Sequence, residues 1–284
     1  MLTNEYQPER RGFQVLLSVH NGENYMQACL ESLDQSLKHH DWVLLYGDDA
    51  STDDTTIELA KYARALTCDK VHLYEYDKAS TVGEAKNRLV KEAHSFKKQY
   101  PYILFMDVDD KMHPERAAMA ETAIEKDSQY VVGSWERIGT DGAKQKTYSL
   151  MGIDQLLYGP WATLFHCDFL PEDGHFFPED EVSDIGHEDI LTWAHLKYIE
   201  DKEPTPHLSF DPVHTYIVRE FSVSNPSDPK KTEWNNNVFW GILNQIKNNK
   251  RNIYENPLSL EEAEEAMNEY VASQGSKTTS HFLH

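Results

Sequence analysis

Short apolar runs alternate with helix-periodic stretches from residue 14 to about residue 124, and that alternation commits the chain to a largely parallel sheet. Gln14 to Val19, Trp42 to Tyr46, Val71 to Tyr76 and Tyr102 to Met106 read as strands. Between them, Asn24 to Leu37 carries Tyr25, Cys29, Leu30, Leu33 and Leu37 at helical spacing. Ser51-Thr52-Asp53-Asp54 supplies helix-start residues ahead of Ile57, Leu59, Ala60 and Ala63. Further helices are expected from about Thr81, using Ala85, Leu89 and Ala93, and from about Pro114 to Ile124. Parallel neighbours need crossovers of this kind, because a two-residue turn can join only antiparallel strands. Tyr130 to Ile138 and Lys146 to Leu150 read as further strands, antiparallel around the turn Gly139-Thr140-Asp141-Gly142.

The run at 102–106 ends in Asp107-Val108-Asp109-Asp110, which puts three carboxylates where open α/β sheets place their ligands. Carboxylates crowded at one edge repel one another unless a cation sits among them, and hard oxygen donors suit Mg²⁺ or Mn²⁺. A divalent ion carrying a diphosphate is the simplest occupant. The competing reading is an ordinary solvated turn, since Asp is common in loops.

Bulk properties narrow the partners. The 284 residues suffice for one large α/β domain with an appendage, and a 39% hydrophobic content argues against general disorder. A net charge of −21 disfavours nucleic-acid phosphates and anionic membrane surfaces. Cys29, Cys68 and Cys167 are odd in number and far apart, as free thiols in a reducing compartment would be. No apolar stretch is long enough for a membrane span and no basic-plus-apolar leader is visible, so a cytoplasmic protein is expected, with peripheral membrane attachment left open. Beyond the linker-like Asn225-Pro226-Ser227-Asp228-Pro229, two helices are expected, Glu233 to Lys247 and Ser259 to Ser273. Oligomeric state is not legible.

Residues Val15 to Tyr25, Gly47 to Thr55, Val82 to Arg88 and Tyr102 to Asp110, taken together, resemble family 2 glycosyltransferases. Val15-Leu16-Leu17-Ser18-Val19-His20-Asn21-Gly22-Glu23-Asn24-Tyr25 is similar to the family's opening strand and Tyr/His-Asn-x-x-x-Tyr loop. Gly47-Asp48-Asp49-Ala50-Ser51-Thr52-Asp53-Asp54-Thr55 resembles its D-D-G/A-S-T-D segment. Val82-Gly83-Glu84-Ala85-Lys86-Asn87-Arg88 resembles its G-x-x-x-A-R-N-x-G stretch, with Lys86 where Arg is usual and Leu89 where Gly is usual. Tyr102 to Asp110 looks like its apolar strand plus D-x-D-D.

The resemblance implies a GT-A fold: a doubly wound, mostly parallel but mixed sheet flanked by helices, here with a C-terminal helical extension. It divides the chain into an arm (1–12), a nucleotide-sugar-binding half (13–115), an acceptor-binding and catalytic half of the same domain (116–225), and the extension with its tail (226–284). It implies transfer of a sugar, with inversion, from a nucleotide-sugar (UDP-linked by expectation) to an acceptor hydroxyl on a glycan or polysaccharide, with Mn²⁺ or Mg²⁺ as cofactor.

Site residues follow from the same likeness. Asp49 or Asp48 would accept a hydrogen bond from the uracil ring N–H, while Val19, His20, Asn21 and Glu23 would line base and ribose. Lys86 and Asn87 belong to the donor site. Asp107 would face the ribose or the metal-bound waters, Asp109 would bind the metal directly, and Asp110 would contact a sugar hydroxyl or support the others. Gly186-His187-Glu188-Asp189 resembles the family's G-E-D motif at a helix start. Asp189 is the expected general base, with Glu188 the fallback. Arg219 and Ser222 would hold the diphosphate, His214 would complete the metal shell, and Trp161 would stack on the acceptor.

Other readings remain. A non-catalytic relative would bind the nucleotide-sugar without turnover, and a lipid carrier or a modified nucleic-acid base could replace the glycan acceptor. A sugar-1-phosphate nucleotidyltransferase would want a Gly-rich phosphate loop near the N-terminus, which is missing. A haloacid-dehalogenase phosphatase places D-x-D at its first strand, and a dehydrogenase would show G-x-G-x-x-G where Ser18 to Asn24 stands.

Overall fold

A computed structural model describes residues 12–114, 116–117, 130–132, 134–139, 143–148, 163–179, 188–200, 205–206, 212–217, 229–249 and 251–274. Two compact units emerge: one from residues up to 80 with 84–176 and 204–218, the other from 81–83, 177–203 and 219–284.

The first unit is built on strand β1 (Phe13–Val19), helix α1 (Met26–Leu37), β2 (Trp42–Asp49), α2 (Thr55–Ala63), β3 (Lys70–Tyr76), α3 (Val82–Ala93) and β4 (Tyr102–Asp107). Two-residue β5 (Lys111–Met112) follows, then β6 (Tyr130–Val132), β7 (Ser134–Ile138), β8 (Lys144–Tyr148), β9 (Thr163–His166), β10 (Thr205–Pro206) and β11 (Pro212–Ile217). Strands β10-β6-β9-β4-β1-β2-β3 form one seven-stranded sheet. Within it β3, β2, β1 and β4 run parallel, and β9 is antiparallel to both β4 and β6. The mixed, mostly parallel sheet expected of a GT-A fold is therefore present. The chain winds outward from β1 to β2 and β3, then returns to lay β4 on the other side of β1. That reversal makes β1 and β4 the switch point of the sheet, and such sheets take ligands at the carboxyl ends of the strands there.

Burial explains the strands. β1 and β2 are sealed almost end to end, as parallel strands covered on both faces must be, whereas the edge strand β3 alternates between exposed and half-buried residues. Met26, Cys29, Leu30, Leu33 and Leu37 of α1 pack on that sheet with Leu17, Leu44, Leu104 and Leu59. Fully burying a side chain of this size contributes about 1.5–3 kcal/mol. Gly47 lets α3 settle closely, since a Cβ there would lie 3.2 Å from the Leu89 side chain. The leucine that replaces the family's usual glycine thus fits because β2 has a glycine beneath it.

The structure differs from the sequence reading at β2, at 130–138 and in strands β5, β9, β10 and β11, which the sequence reading did not mark. β2 continues through Gly47 to Asp49, because Val19 and Tyr76 still supply partners at Asp48 and Asp49. The expected strand from 130 to 138 is two strands in different sheets, β6 in the large one and β7 in a second sheet ordered β5-β11-β7-β8. Short β9 has four residues, too few to show a period. The helix expected at 114–124 lies mostly outside the described residues.

The second unit contains α4 (Glu188–Tyr198), α5 (Pro229–Asn249) and α6 (Leu260–Gln274). Pro229 opens α5, where its missing N–H costs nothing. Ser259 and Glu262 form a reciprocal capping box at α6: the Glu262 amide donates to Ser259 Oγ at 3.2 Å and the Ser259 amide to Glu262 Oε2 at 3.0 Å. Gly241 brings α5 against α6 so closely that a Cβ there would stand 2.5 Å from the Ala266 carbonyl carbon and the Met267 nitrogen. Among the described residues, no helix is long and apolar enough to cross a membrane.

Candidate functional site

Carboxyl-terminal strand ends bring the candidate residues of the first unit together. Register places Asp107 of β4 beside Ser18 and Asp48 of β2 beside Val19, on either side of β1. The loops that follow β1 and β2 are stitched to each other. Asn21 and Ala50 both adopt left-handed backbone, with φ of 54° and 55°. An alanine in that region costs about 1–2 kcal/mol, a penalty that glycine, the other residue of the D-D-G/A segment, would avoid. The Asn21 amide donates to Ser51 Oγ at 2.9 Å, and Asn21 Oδ1 accepts the Thr52 amide at 2.8 Å. Gly22 donates to Thr55 Oγ1 at 2.6 Å, and Glu23 Oε2 accepts the Asp54 amide at 3.0 Å. Asp53 takes the Glu23 amide at 3.3 Å and the Thr55 amide at 3.1 Å. Burial pushes the Asp53 carboxyl up, but the bonds from Thr55 and Glu23 outweigh it and hold the group below 3.8. His20 Nδ1 lies 2.7 Å from the Asp49 carbonyl oxygen, with its ring exposed.

Asp48 and Asp49 are neighbours on a strand, so their side chains project to opposite faces. Asp48 meets Thr56 Oγ1 of α2 at 3.4 Å, and its buried Oδ1 has no hydrogen-bond partner among the described residues. Asp49 faces α3 and is well held. Its Oδ2 accepts the Ser80 amide at 2.9 Å, while its Oδ1 accepts the Ser80 hydroxyl at 2.8 Å and Arg88 Nη1 at 3.2 Å.

On the other side of β1, Lys86 Nζ lies 3.4 Å from Asp107 Oδ1, with side chains 8% and 30% exposed respectively. Asn87 is buried, and its Oδ1 accepts the Phe176 amide at 3.1 Å. The Asp110 amide donates to the Asp107 carbonyl at 3.1 Å, closing a turn that leaves Asp109 half-exposed and Asp110 buried. The three carboxylates make a concentrated negative field. Burial first, and then Asp110, Asp109 and Asp107 in turn, push the Cys29 thiol well above its ordinary range.

That field tests the fit of a divalent cation. Among the described residues no three His, Cys, Asp or Glu side chains converge as a cage. Magnesium-like ions in phosphate-transfer sites, however, are held by one or two carboxylates with the substrate's phosphates and water completing the shell. Asp107 and Asp109, both half-buried at the end of β4, supply that donor set. The residues fit such an ion.

A profile of Glycosyl transferase family 2 matches residues 14–183. The chain belongs to that family. TuaG of Bacillus subtilis (strain 168), provisionally named a teichuronic acid biosynthesis glycosyltransferase, is 26% identical over 148 residues, which are 51% of this chain and 52% of TuaG. EpsE of the same organism, provisionally named a glycosyltransferase, is 30% identical over 136 residues, 46% of each chain. This family 2 chain therefore spans about half the length of both relatives. Among solved structures, S. aureus TarS 1-349 in complex with UDP-GlcNAc superposes with a TM-score of 0.61 at 19% identity, covering 92% of this chain and 71% of that one. The mannosyltransferase PcManGT from Pyrobaculum calidifontis in complex with GDP-Man and Mn²⁺ gives 0.53 at 12% identity, covering 95% and 76%. At these identities the likeness establishes the fold.

The remaining expected residues are placed less completely. Glu188 and Asp189 open α4 in the second unit, Glu188 buried and Asp189 half-buried. His214 lies in β11, where its backbone pairs with Met112, three residues beyond Asp109. Trp161, Arg219 and Ser222 lie outside the described residues. Sequence reasoning missed Ser80 and Arg88 around Asp49. The available signal was the i,i+4 pair of Glu84 and Arg88 inside a motif already singled out.

Proposed function

We propose that this family 2 chain is an inverting glycosyltransferase that moves a sugar from a UDP-linked donor to a hydroxyl of a glycan or polysaccharide. The observation that carries the reading is the pair of strand ends flanking β1, with Asp48 and Asp49 on one side and Asp107, followed by Asp109, on the other. A nucleotide diphosphate offers complementary chemistry to both: a base N–H for a carboxylate acceptor, and phosphates for a cation. Complexes of the similar folds with UDP-GlcNAc and with GDP-Man and Mn²⁺ support a nucleotide-sugar donor and a divalent ion. The name given to TuaG supports a polysaccharide acceptor.

Roles follow from chemistry and exposure. Asp49 or Asp48 reads the base, with Val19, His20, Asn21 and Glu23 shaping its surroundings through the stitched loops. Lys86, paired to Asp107, contributes positive charge toward the diphosphate, and Asn87 holds the neighbouring turn. Asp109, with Asp107 and His214, would hold Mn²⁺ or Mg²⁺, which when bound would neutralise charge on the departing diphosphate. Arg219 and Ser222 add donors for the same group. Asp110 supports the turn, and Trp161 offers an aromatic face to the acceptor.

Asp189 is assigned as general base in preference to Glu188, because a base must reach the acceptor hydroxyl and Glu188 is the more buried. It takes the proton as the acceptor oxygen bonds to the anomeric carbon and the bond from that carbon to UDP breaks. Asp189→Asn is expected to bind UDP-sugar like the parent while losing transfer by about 10²-fold or more. Turnover equal to the parent's removes Asp189 from the mechanism. A panel of nucleotide-sugars tested for nucleotide release with Mn²⁺ checks the reaction class, and no release from any of them overturns it.

A further inference from the structure

Arg88 occupies the variable position of the G-x-x-x-A-R-N-x-G-like stretch, and nothing in the proposed chemistry uses it. Its surroundings are nonetheless built around it. Nη1 donates to Asp49 Oδ1 at 3.2 Å, and Nη2 donates to Glu84 Oε1, one helical turn earlier, at 2.6 Å. The guanidinium carbon lies 4.5 Å from the centre of the Tyr76 ring, and Tyr76 ends β3 directly beside Asp49 in the strand register. A planar fork that grips two carboxylates while resting on an aromatic face is a task for arginine, and lysine cannot reproduce it.

The consequence falls on Asp49. A carboxylate has about four lone-pair sites, and the protein fills three of them at Asp49, two from Ser80 and one from Arg88. What remains is a single acceptor direction on a side chain that cannot rotate. One fixed acceptor selects a ring N–H, which uracil has and cytosine, bearing a bare ring nitrogen at that place, lacks. Ser80 alone contacts both oxygens from one side, so without Arg88 the carboxylate is free to tilt.

We infer that Arg88 is a positioning residue for nucleobase selection: it locks Asp49 so that the donor site discriminates uracil from cytosine. The inference rests on the proposed function and deepens it. Its residue is distinct from those expected to bind metal, diphosphate or acceptor.

The test is calorimetric binding of UDP and CDP, with Mn²⁺ present, to the parent, Arg88→Met, Arg88→Lys, Tyr76→Leu and Asp49→Asn. The parent is expected to prefer UDP. Arg88→Met should weaken UDP on the order of tenfold, about 1.4 kcal/mol, and leave CDP unchanged, so that the preference collapses. Arg88→Lys, which can serve only one of the two carboxylates, and Tyr76→Leu, which removes the platform, should each lower the UDP/CDP ratio by a smaller factor. A parent that binds no nucleoside diphosphate overturns the proposed function and this inference with it. Should Asp49→Asn abolish the preference while both Arg88 variants and Tyr76→Leu keep it, only the inference falls. Equal weakening of UDP and CDP in the Arg88 variants also overturns it, since that is the mark of general loosening. If Arg88→Met does not fold, Arg88→Lys and Tyr76→Leu carry the decision alone.

Discussion

The contact between Gly47 and Leu89 offers a test of how α3 is seated over β2, and so of how Lys86, Asn87 and Arg88 reach the site. Leu89 is 1% exposed, and a Cβ on Gly47 would meet three of its carbons at 3.2, 3.4 and 3.4 Å. Leu89→Ala removes three carbons at about 0.8 kcal/mol each and leaves some cavity, so a loss of about 3 kcal/mol is expected. Gly47→Ala in the parent forces that leucine aside at a cost of about 1–2 kcal/mol, offset by about 0.5–1 kcal/mol from replacing a strand glycine. In the Leu89→Ala background the steric cost disappears, and Gly47→Ala should instead stabilise. The two changes are then coupled by about 1–2 kcal/mol, measurable by urea unfolding of the four proteins followed by circular dichroism. Additivity to within about 0.5 kcal/mol would refute the packing argument.

Other expectations are narrower. Asp109→Asn should lower nucleotide release by about 10²-fold or more, and chelation of Mn²⁺ should do the same to the parent; undiminished release in either experiment removes the cation from the mechanism. Gly241→Ala pushes a methyl against α6 backbone atoms that cannot yield, so a loss of about 2–3 kcal/mol is expected. It should also alter the near-ultraviolet signal of the stacked Trp240 and Tyr270, and an unchanged spectrum and midpoint would sink the claim. Asp53 has its folded-state value held below 3.8, so its bonds stabilise the protein above that value and are lost as pH falls through the depressed one. Asp53→Ala should therefore melt below the parent at neutral pH, with the gap closing on acidification; a gap that widens in acid contradicts the assignment.

Local signals carried much of the architecture. Apolar runs bounded by turn residues marked β1 to β4, and the spacing of Cys29, Leu30, Leu33 and Leu37 marked α1, because burial on a sheet face leaves a periodic trace in the chain. The aspartates at 107–110 were visible as the end of such a run. The division of 130–138 into two strands was not visible, since sheet membership depends on which distant segment supplies hydrogen-bond partners. β9 was missed for a related reason: four residues are too few to show a period, and it is its pairing with β4 and β6 that makes it a strand.

Asp48 and Asp49 show the boundary most clearly. That both are acceptors, and that they face opposite ways if the strand continues, follows from composition and the two-residue period of a strand. That Asp49 is clamped by Ser80 and Arg88, while Asp48 keeps a buried oxygen with no partner among the described residues, depends on α3 packing over one face and α2 over the other. Sequence alone determined the order of strands and helices from β1 to β4 and the carboxylates available. Only the tertiary structure decided which of those carboxylates are already occupied, because occupancy comes from side chains that long-range packing brings within about 3 Å of one another.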